Sequence, residues 1–410
     1  MISRDRALLR VSLFASLVVP VVAFASCAES SGEAHPAEDA SVNVSVGSES
    51  DAAPDAGCNA SDETCAVPLS CAEVPWCPVP TGISAFAALT AVWGSSKDDV
   101  WAVGSNGTIV HWDGATWAQV PPPNSFYPPQ LPVKNTFRAI WGSGSNDVWI
   151  ASATDAVFHT SGYAGASTAW ENARLPIEEG LDVPLFAIWG SSADEVRVAG
   201  SPAMMFDEDG IVTVNAFTKS QESDGDFGWQ GVPGAATVLA MWGPAASDIW
   251  LVADNSMEVS WQRSFALHGR LDPETSELAW AEIDTHSVAT LRALWGSSAN
   301  DIWAVGDLGT IRHVTSANAS DWESIPSPTR EDLRAVWGSA ADDVWAVGDA
   351  GTILHYDGRG WTPTLAAFPA GKKPALYGVW GSARDDVWIV GDGVALHYTG
   401  GELGDAGGSR

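Results

Sequence analysis

The sequence predicts an all-β fold, a seven-bladed β-propeller of four-stranded antiparallel blades, and three observations carry that prediction. The segment Leu333–Trp361 breaks into three short apolar runs closed by turn residues, and a fourth run opens at Trp361. The Trp-Gly pair that closes its first run recurs at Trp93, Trp141, Trp189, Trp242, Trp295, Trp337 and Trp380, at spacings of 42 to 53 residues. The seventh copy lacks a fourth run, and a short apolar stretch at Trp76 precedes the first copy.

Within one copy the runs are Leu333–Trp337, Val344–Val347 and Thr352–Tyr356. They end at Gly338-Ser339, Gly348-Asp349 and Asp357-Gly358. Short runs rich in Val, Ile, Trp and Tyr between Gly and Asp are strand signals. Asp-Gly between two such runs favours a hairpin, because both central residues of the turn need positive φ. One copy is therefore a four-stranded meander that is apolar on both faces, and it must stack on its neighbours to bury them. Seven copies at this period indicate a propeller.

The tryptophans follow the period. The second strand carries Trp101, Trp149, Trp250, Trp303, Trp345 and Trp388, with Arg197 in the third copy. The fourth strand carries Trp117, Trp170, Trp229, Trp280, Trp322 and Trp361. Trp76 lies 17 residues before Trp93, much as Trp361 lies 19 before Trp380. The segment around Trp76 is thus expected to close the ring as the outer strand of blade seven. This placement assigns 20 of the 22 tryptophans to the repeat and leaves Trp112 and Trp261. Their regular recurrence favours packing between blades over sugar stacking.

The N-terminus reads as an export signal spanning residues 1–26. Arg4, Arg6 and Arg10 precede the apolar stretch Val11–Phe24, which is short for a membrane span. Ala23-Phe24-Ala25 fits ordinary signal cleavage, whereas Phe24-Ala25-Ser26-Cys27 resembles a bacterial lipobox with Cys27 as the lipidated residue. Of five cysteines, removing Cys27 leaves Cys58, Cys65, Cys71 and Cys77, an even number suited to disulfides in an oxidising compartment. Their gaps match no zinc-site spacing, so no metal or other cofactor is expected. Residues 27–57 hold no Lys, Arg, Phe, Trp or Tyr and read as a disordered acidic tether. Residues 58–77 form a cysteine-rich segment, 74–399 the propeller and 400–410 a disordered tail. The chain is expected to be a monomer in the bacterial cell envelope, at the outer membrane or cell surface, touching the bilayer only through Cys27. A soluble secreted form is the alternative.

Charge narrows the partners. With 51 acidic against 20 basic residues the net charge is −31, which argues against nucleic acid and anionic membrane surfaces.

The repeats, W-G-S-x-x-D-V-W-A-V-G, resemble those of secreted bacterial propellers with BNR or Asp-box-like motifs, over roughly residues 74–399. The Asp-box equivalents are His111–Trp117 and His355–Trp361, which keep the Asp and Trp but are one residue shorter and put His for Ser. That resemblance implies a propeller, and it raises sialidase-like hydrolysis, which needs three arginines, a Tyr nucleophile with a Glu partner, and an Asp acid. Tyr377 with Arg138, Arg292 and Arg334 is the best such set, and no Glu stands in a partner position. No other catalytic motif appears.

Residues that recur read as scaffold. His111, His159, His268, His313, His355 and His397 share one third-strand position. An acid precedes every second strand: Asp99, Asp147, Glu195, Asp248, Asp301, Asp343 and Asp386. These read as turn carboxylates accepting backbone N–H groups, with calcium the weaker alternative. The position before the small residue of each inner strand is varied instead: Thr90, Arg138, Phe186, Leu239, Arg292, Arg334 and Tyr377. It lies on the face bearing the fourth-to-first and second-to-third-strand loops. Arg138, Phe186, Arg292, Arg334 and Tyr377 are candidates for a mouth that takes an acidic or sugar-like group. Pairing of these arginines with turn carboxylates on the same face, such as Asp307, Asp349 and Asp392, is the competing expectation. Blades two to four depart most from the repeat, in loops read as Ser152–Asp155, Ser201–Met204 and Asp254–Ser264. With Met204, Met205, Met257 and Trp261 they offer apolar groups to a partner. The expected function is a non-catalytic binding or scaffold module for an envelope protein or glycan, with a degenerate glycan hydrolase as the alternative.

Overall fold

A computed structural model describes residues 65–66, 68–126, 132–173, 175–177, 183–207, 210–221, 227–254, 264–275, 277–315 and 322–398. The expectations for Cys27, Cys58, Met257 and Trp261, the leader, the tether and the tail all lie outside these residues.

Of seven four-stranded antiparallel sheets, six are simple meanders of consecutive strands and the seventh joins three consecutive strands to one from before the first blade. Blade six is typical: Leu333–Ala340, Asp343–Gly348, Ile353–Tyr356 and Trp361–Pro363. Inner strands of the other blades begin at Leu89, Phe137, Leu185, Thr237, Leu291 and Leu376. The ring closes as the sequence indicates. Trp76–Pro78 pairs antiparallel with Val394–Tyr398 and becomes the outer strand of blade seven. Trp76 is fully buried, edge-on to Trp345 of blade six at 5.0 Å. Cys77 within this strand is disulfide-bonded to Cys71, and Cys65 is disulfide-bonded as well.

Two tryptophan contacts join neighbouring blades, the first at all seven joints and the second at six. The first explains the Trp-Gly pair. The inner-strand indoles of Trp93, Trp141, Trp189, Trp242, Trp295, Trp337 and Trp380 lie over Gly142, Gly190, Gly243, Gly296, Gly338, Gly381 and Gly94 of the following blade. A side chain at those glycines would occupy the space the ring fills. The second contact is between the second-strand Trp and the outer-strand Trp of the next blade. The pairs are Trp101–Trp170, Trp149–Trp229, Trp250–Trp322, Trp303–Trp361, Trp345–Trp76 and Trp388–Trp117. Their centroids lie 5.0 to 5.9 Å apart and their planes 78 to 86° from parallel. Edge-to-face pairs of this kind are worth about 0.5–1.5 kcal/mol each beyond burial. The joint between blades three and four lacks this pair, because Arg197 stands where the other blades carry an indole.

Blade three corrects one expectation. Its second and third strands run Glu195–Asp207 and Gly210–Gln221, far longer than in blade six. Ser201–Met204 is therefore not a loop. Pairing breaks after Ala199 and resumes at Ala203↔Val214 and Met204↔Thr213, so a bulge is followed by a hairpin arm. Gly200-Ser201-Pro202 looks like a chain reversal in sequence, but the reversal comes only after Asp207. Met204 on this arm is 50% exposed.

Candidate functional site

The varied position of the inner strand has one structural cause. In every blade the ladder between the first and second strands skips a residue near its start. The skipped residues are Thr90, Arg138, Phe186, Leu239, Arg292, Arg334 and Tyr377, each at a β-bulge. A bulge frees its residue from the ladder and re-aims the side chain. Seven such bulges lie at the same end of the inner strands and make a mouth whose lining differs from blade to blade.

What the bulged residues meet divides the mouth in two. In blades five to seven they face an Asp at the end of their own second strand. Arg292 makes a two-pronged ion pair with Asp307. Arg334 does the same with Asp349, at 3.0 and 2.6 Å, and reaches Asp332 at 3.5 Å. The hydrogen bonds to Asp349 outweigh burial and push the Arg334 guanidinium further up. Tyr377 donates its phenol to Asp392 at 3.3 Å. These Asp residues are held in place because the backbone N–H groups of Asp307, Asp349 and Asp392 donate to carbonyls just before the inner strands.

Blades one to three are different. Thr90 donates across the seam to the carbonyl of Phe137. Ala153 stands where blades five to seven have Asp, so Arg138 has no carboxylate there. Its guanidinium lies over the ring of Phe186, 4.8 Å from the centroid, and remains exposed. Arg138 and Phe186 are thus brought together as neighbours. Arg292, Arg334 and Tyr377 form a separate arc in which each cation or phenol already has an acidic partner.

This arrangement bears on hydrolysis. Burial, then the Asp392 carboxylate, pushes the Tyr377 phenol above its ordinary value, the opposite of what an activated nucleophile requires. Its partner is an Asp, not the Glu of the sialidase pattern.

On the opposite face the repeated acids and histidines prove to be one unit. The Asp carboxylates accept from His Nε2 at 2.6 to 2.9 Å in six blades: Asp99–His111, Asp147–His159, Asp248–His268, Asp301–His313, Asp343–His355 and Asp386–His397. Ser95, Ser143, Ser297, Ser339 and Ser382 donate to the same carboxylates from a second bulge at the end of the inner strand. This corrects the expectation of turn carboxylates bonded to backbone. Of the seven acids only Glu195, in blade three, accepts a backbone N–H, from Ser191 at 3.3 Å, while Asp113 and Asp357 accept backbone N–H groups in the turns before the fourth strands of blades one and six. Each imidazole also packs on the second-strand Trp of its own blade, from 3.6 Å for His313 on Trp303 to 4.7 Å for His111 on Trp101. Burial tends to raise the Asp147 carboxyl, but hydrogen bonds from His159, Ser143 and Trp149 override it and hold it down to about 2. Asp99, Asp301, Asp343 and Asp386 are lowered in the same way. A carboxylate lies between Ser and His, so His cannot take the Ser proton, and the unit is unsuited to nucleophilic catalysis. The signal in sequence is the constant spacing Ser, four residues to Asp, twelve to His, in blades one, two, five and six.

Ring, blade contacts and bulged mouth together define a seven-bladed propeller scaffold with its variable positions gathered at one end of the axis. Solved structures of that class are similar to it. YCF48 bound to D1 peptide matches at 18% identity and a TM-score of 0.56, covering 80% of this chain and 96% of that one. YCF48 from Cyanidioschyzon merolae matches at 16% and 0.57, covering 79% and 98%. The WD40 propeller domain of Doa1 matches at 9% and 0.56, covering 80% and 98%. At these identities the likeness shows the fold. No family model and no curated protein matches the sequence.

Proposed function

We propose that the chain is an exported, lipid-anchored, non-catalytic propeller that captures a protein partner of the cell envelope at its mouth. The observation that carries this reading is the bulge at every inner strand. It presents seven side chains released from the strand ladder, and these are the repeat positions where the blades disagree. Arg138 over Phe186, with Leu239 on the next blade, suits a peptide that sets an acidic residue beside an apolar one. The arc of Arg292, Arg334 and Tyr377 with their aspartates offers both hydrogen-bond donors and acceptors to a main chain. The exposed Met204 on the blade-three arm adds apolar surface. A solved structure of a similar propeller, YCF48, with a bound peptide supports a polypeptide over a glycan as the ligand. Lipid anchoring rests on Cys27 and is read out separately: Cys27→Ser should move the protein from the membrane to the soluble fraction.

The test is selection of displayed random peptides on the full chain, followed by binding of the enriched peptides to Arg138→Ala/Phe186→Ala. Loss of at least tenfold in affinity with an unchanged melting temperature is expected. Undiminished binding to that variant would refute the mouth as the site.

A further inference from the structure

The joint between blades three and four lacks one indole. At the other six joints a second-strand Trp meets the outer-strand Trp of the next blade edge-on. Here the outer-strand partner, Trp280, is present and half-buried, and Arg197 replaces the indole that would meet it. A second change accompanies the first. The residue paired with Arg197 is Thr218, where blades with a second-strand Trp pair it with His. The Glu195 carboxylate accepts from Arg197 Nε at 2.6 Å, and Thr218 accepts from its Nη1 at 3.1 Å. The guanidinium is thereby held by two partners of its own blade.

At this joint a cleft of about 700 Å³ lies between the two blades, with Arg197, Thr218, Gln230, Ser247, Leu271 and Trp280 in its lining. Its volume is in the range of small-ligand sites. It opens on the face carrying the first-to-second and third-to-fourth-strand turns, opposite the mouth. Leu271 at its rim is an apolar side chain 49% exposed.

We propose that this cleft receives one aromatic side chain presented by a partner polypeptide, inserted against Trp280 in place of the missing indole. The shape argument comes from the molecule itself, because six equivalent joints are filled by an aromatic ring in that orientation. The chemistry agrees. Trp280 supplies an edge-to-face partner, Arg197 a cation for the ring face, Leu271 an apolar rim, and Gln230 and Ser247 hydrogen bonds for a phenol, an indole N–H or the adjoining main chain. Because the cleft and the mouth lie on opposite faces, the mouth reading and this one stand or fall separately.

The experiment titrates N-acetyl-tryptophanamide and N-acetyl-tyrosinamide into the full chain, read by saturation-transfer NMR, with methyl glycosides as a parallel arm. The proteins are the wild type, Trp280→Ala, Leu271→Glu and the filled variant Arg197→Trp/Thr218→His. The aromatic amides should saturate the wild type and bind at least tenfold more weakly to all three variants, and the filled variant should melt at a higher temperature. If the filled variant does not fold, Trp280→Ala and Leu271→Glu decide. No saturable binding to the wild type, equal binding to the variants, or binding of glycosides but not of aromatic amides would each overturn the proposal.

Discussion

The indole of Trp380 covers the α-carbon of Gly94, across the seam where the last blade meets the first. A Cβ on Gly94 would stand 2.6 Å from Cη2 of that ring and 2.6 Å from the carbonyl oxygen of Asp99. The same pairing recurs at all seven seams, so each Trp-Gly dipeptide sends its Trp into the next blade and leaves its Gly to be covered by the Trp of the preceding one.

Gly142→Ala should therefore destabilise the ring. Its Cβ would lie 2.5 Å from both the Trp93 ring and the Asp147 carbonyl, and overpacking of that kind costs about 1–3 kcal/mol. Gly360→Ala is the control, since nothing lies within 4 Å of a Cβ there. Urea denaturation of both variants measures the difference, and equal midpoints would contradict the packing account.

Ring closure should depend on Trp76. Truncating a fully buried Trp costs about 3–5 kcal/mol, so Trp76→Ala should lower stability by that order. Removing residues 68–80 should go further and expose the edge of Val394–Tyr398, producing aggregation visible by size-exclusion chromatography. A monodisperse deletion variant of full stability would mean that blade seven does not need this strand.

Acid should act on the Ser–Asp–His units. An Asp whose pKa is lower in the folded than in the unfolded state contributes stability above the unfolded value of about 3.9, and that contribution is lost as pH falls through the folded value. With Asp147 at about 2 and Asp99, Asp301, Asp343 and Asp386 also lowered, stability should decline between about pH 4 and pH 2. Asp147→Asn should be less stable at neutral pH and show a shallower decline, as measured by denaturation midpoints across that range.

A local stabilisation is also expected. Ala350 has φ 53°, in the turn Asp349–Gly351, and a side chain in the left-handed region costs about 1–2 kcal/mol. Ala350→Gly relieves that cost against the greater freedom of glycine in the unfolded chain, for a net gain of about 0.5–1 kcal/mol. A lowered melting temperature would show that the methyl group makes a contact worth more than the strain.

The ring was legible in the sequence because each blade is local. Its strands are consecutive, and Trp-Gly, Asp-Gly and the Trp at eight residues' spacing mark the same points in every copy. Closure was legible because copy seven lacked the Trp that Trp76 could supply. The Ser–Asp–His unit was harder to see, since its members sit on three strands and the histidine spacing changes with the hairpin, to 20 residues at Asp248–His268. The bulges were invisible, because a bulge is defined by the partner strand and not by the residue skipped. The arginines were found by their variability, and their carboxylates Asp307 and Asp349 by position. That Arg138 instead lies over Phe186 depends on the angle between two blades, which no one repeat encodes.

The central claim is that uniform positions hold the ring and the bulged positions bind. Hydrogen–deuterium exchange of the full chain with a mouth-selected peptide tests it most directly. Protection should appear at the starts of the inner strands, around Arg138, Phe186 and Arg334, and in the turns Ser105–Gly107, Asp307–Gly309 and Asp349–Gly351. The Ser–Asp–His face should be unchanged. Protection confined to that face, with the bulged residues exchanging as in the free protein, would contradict the account.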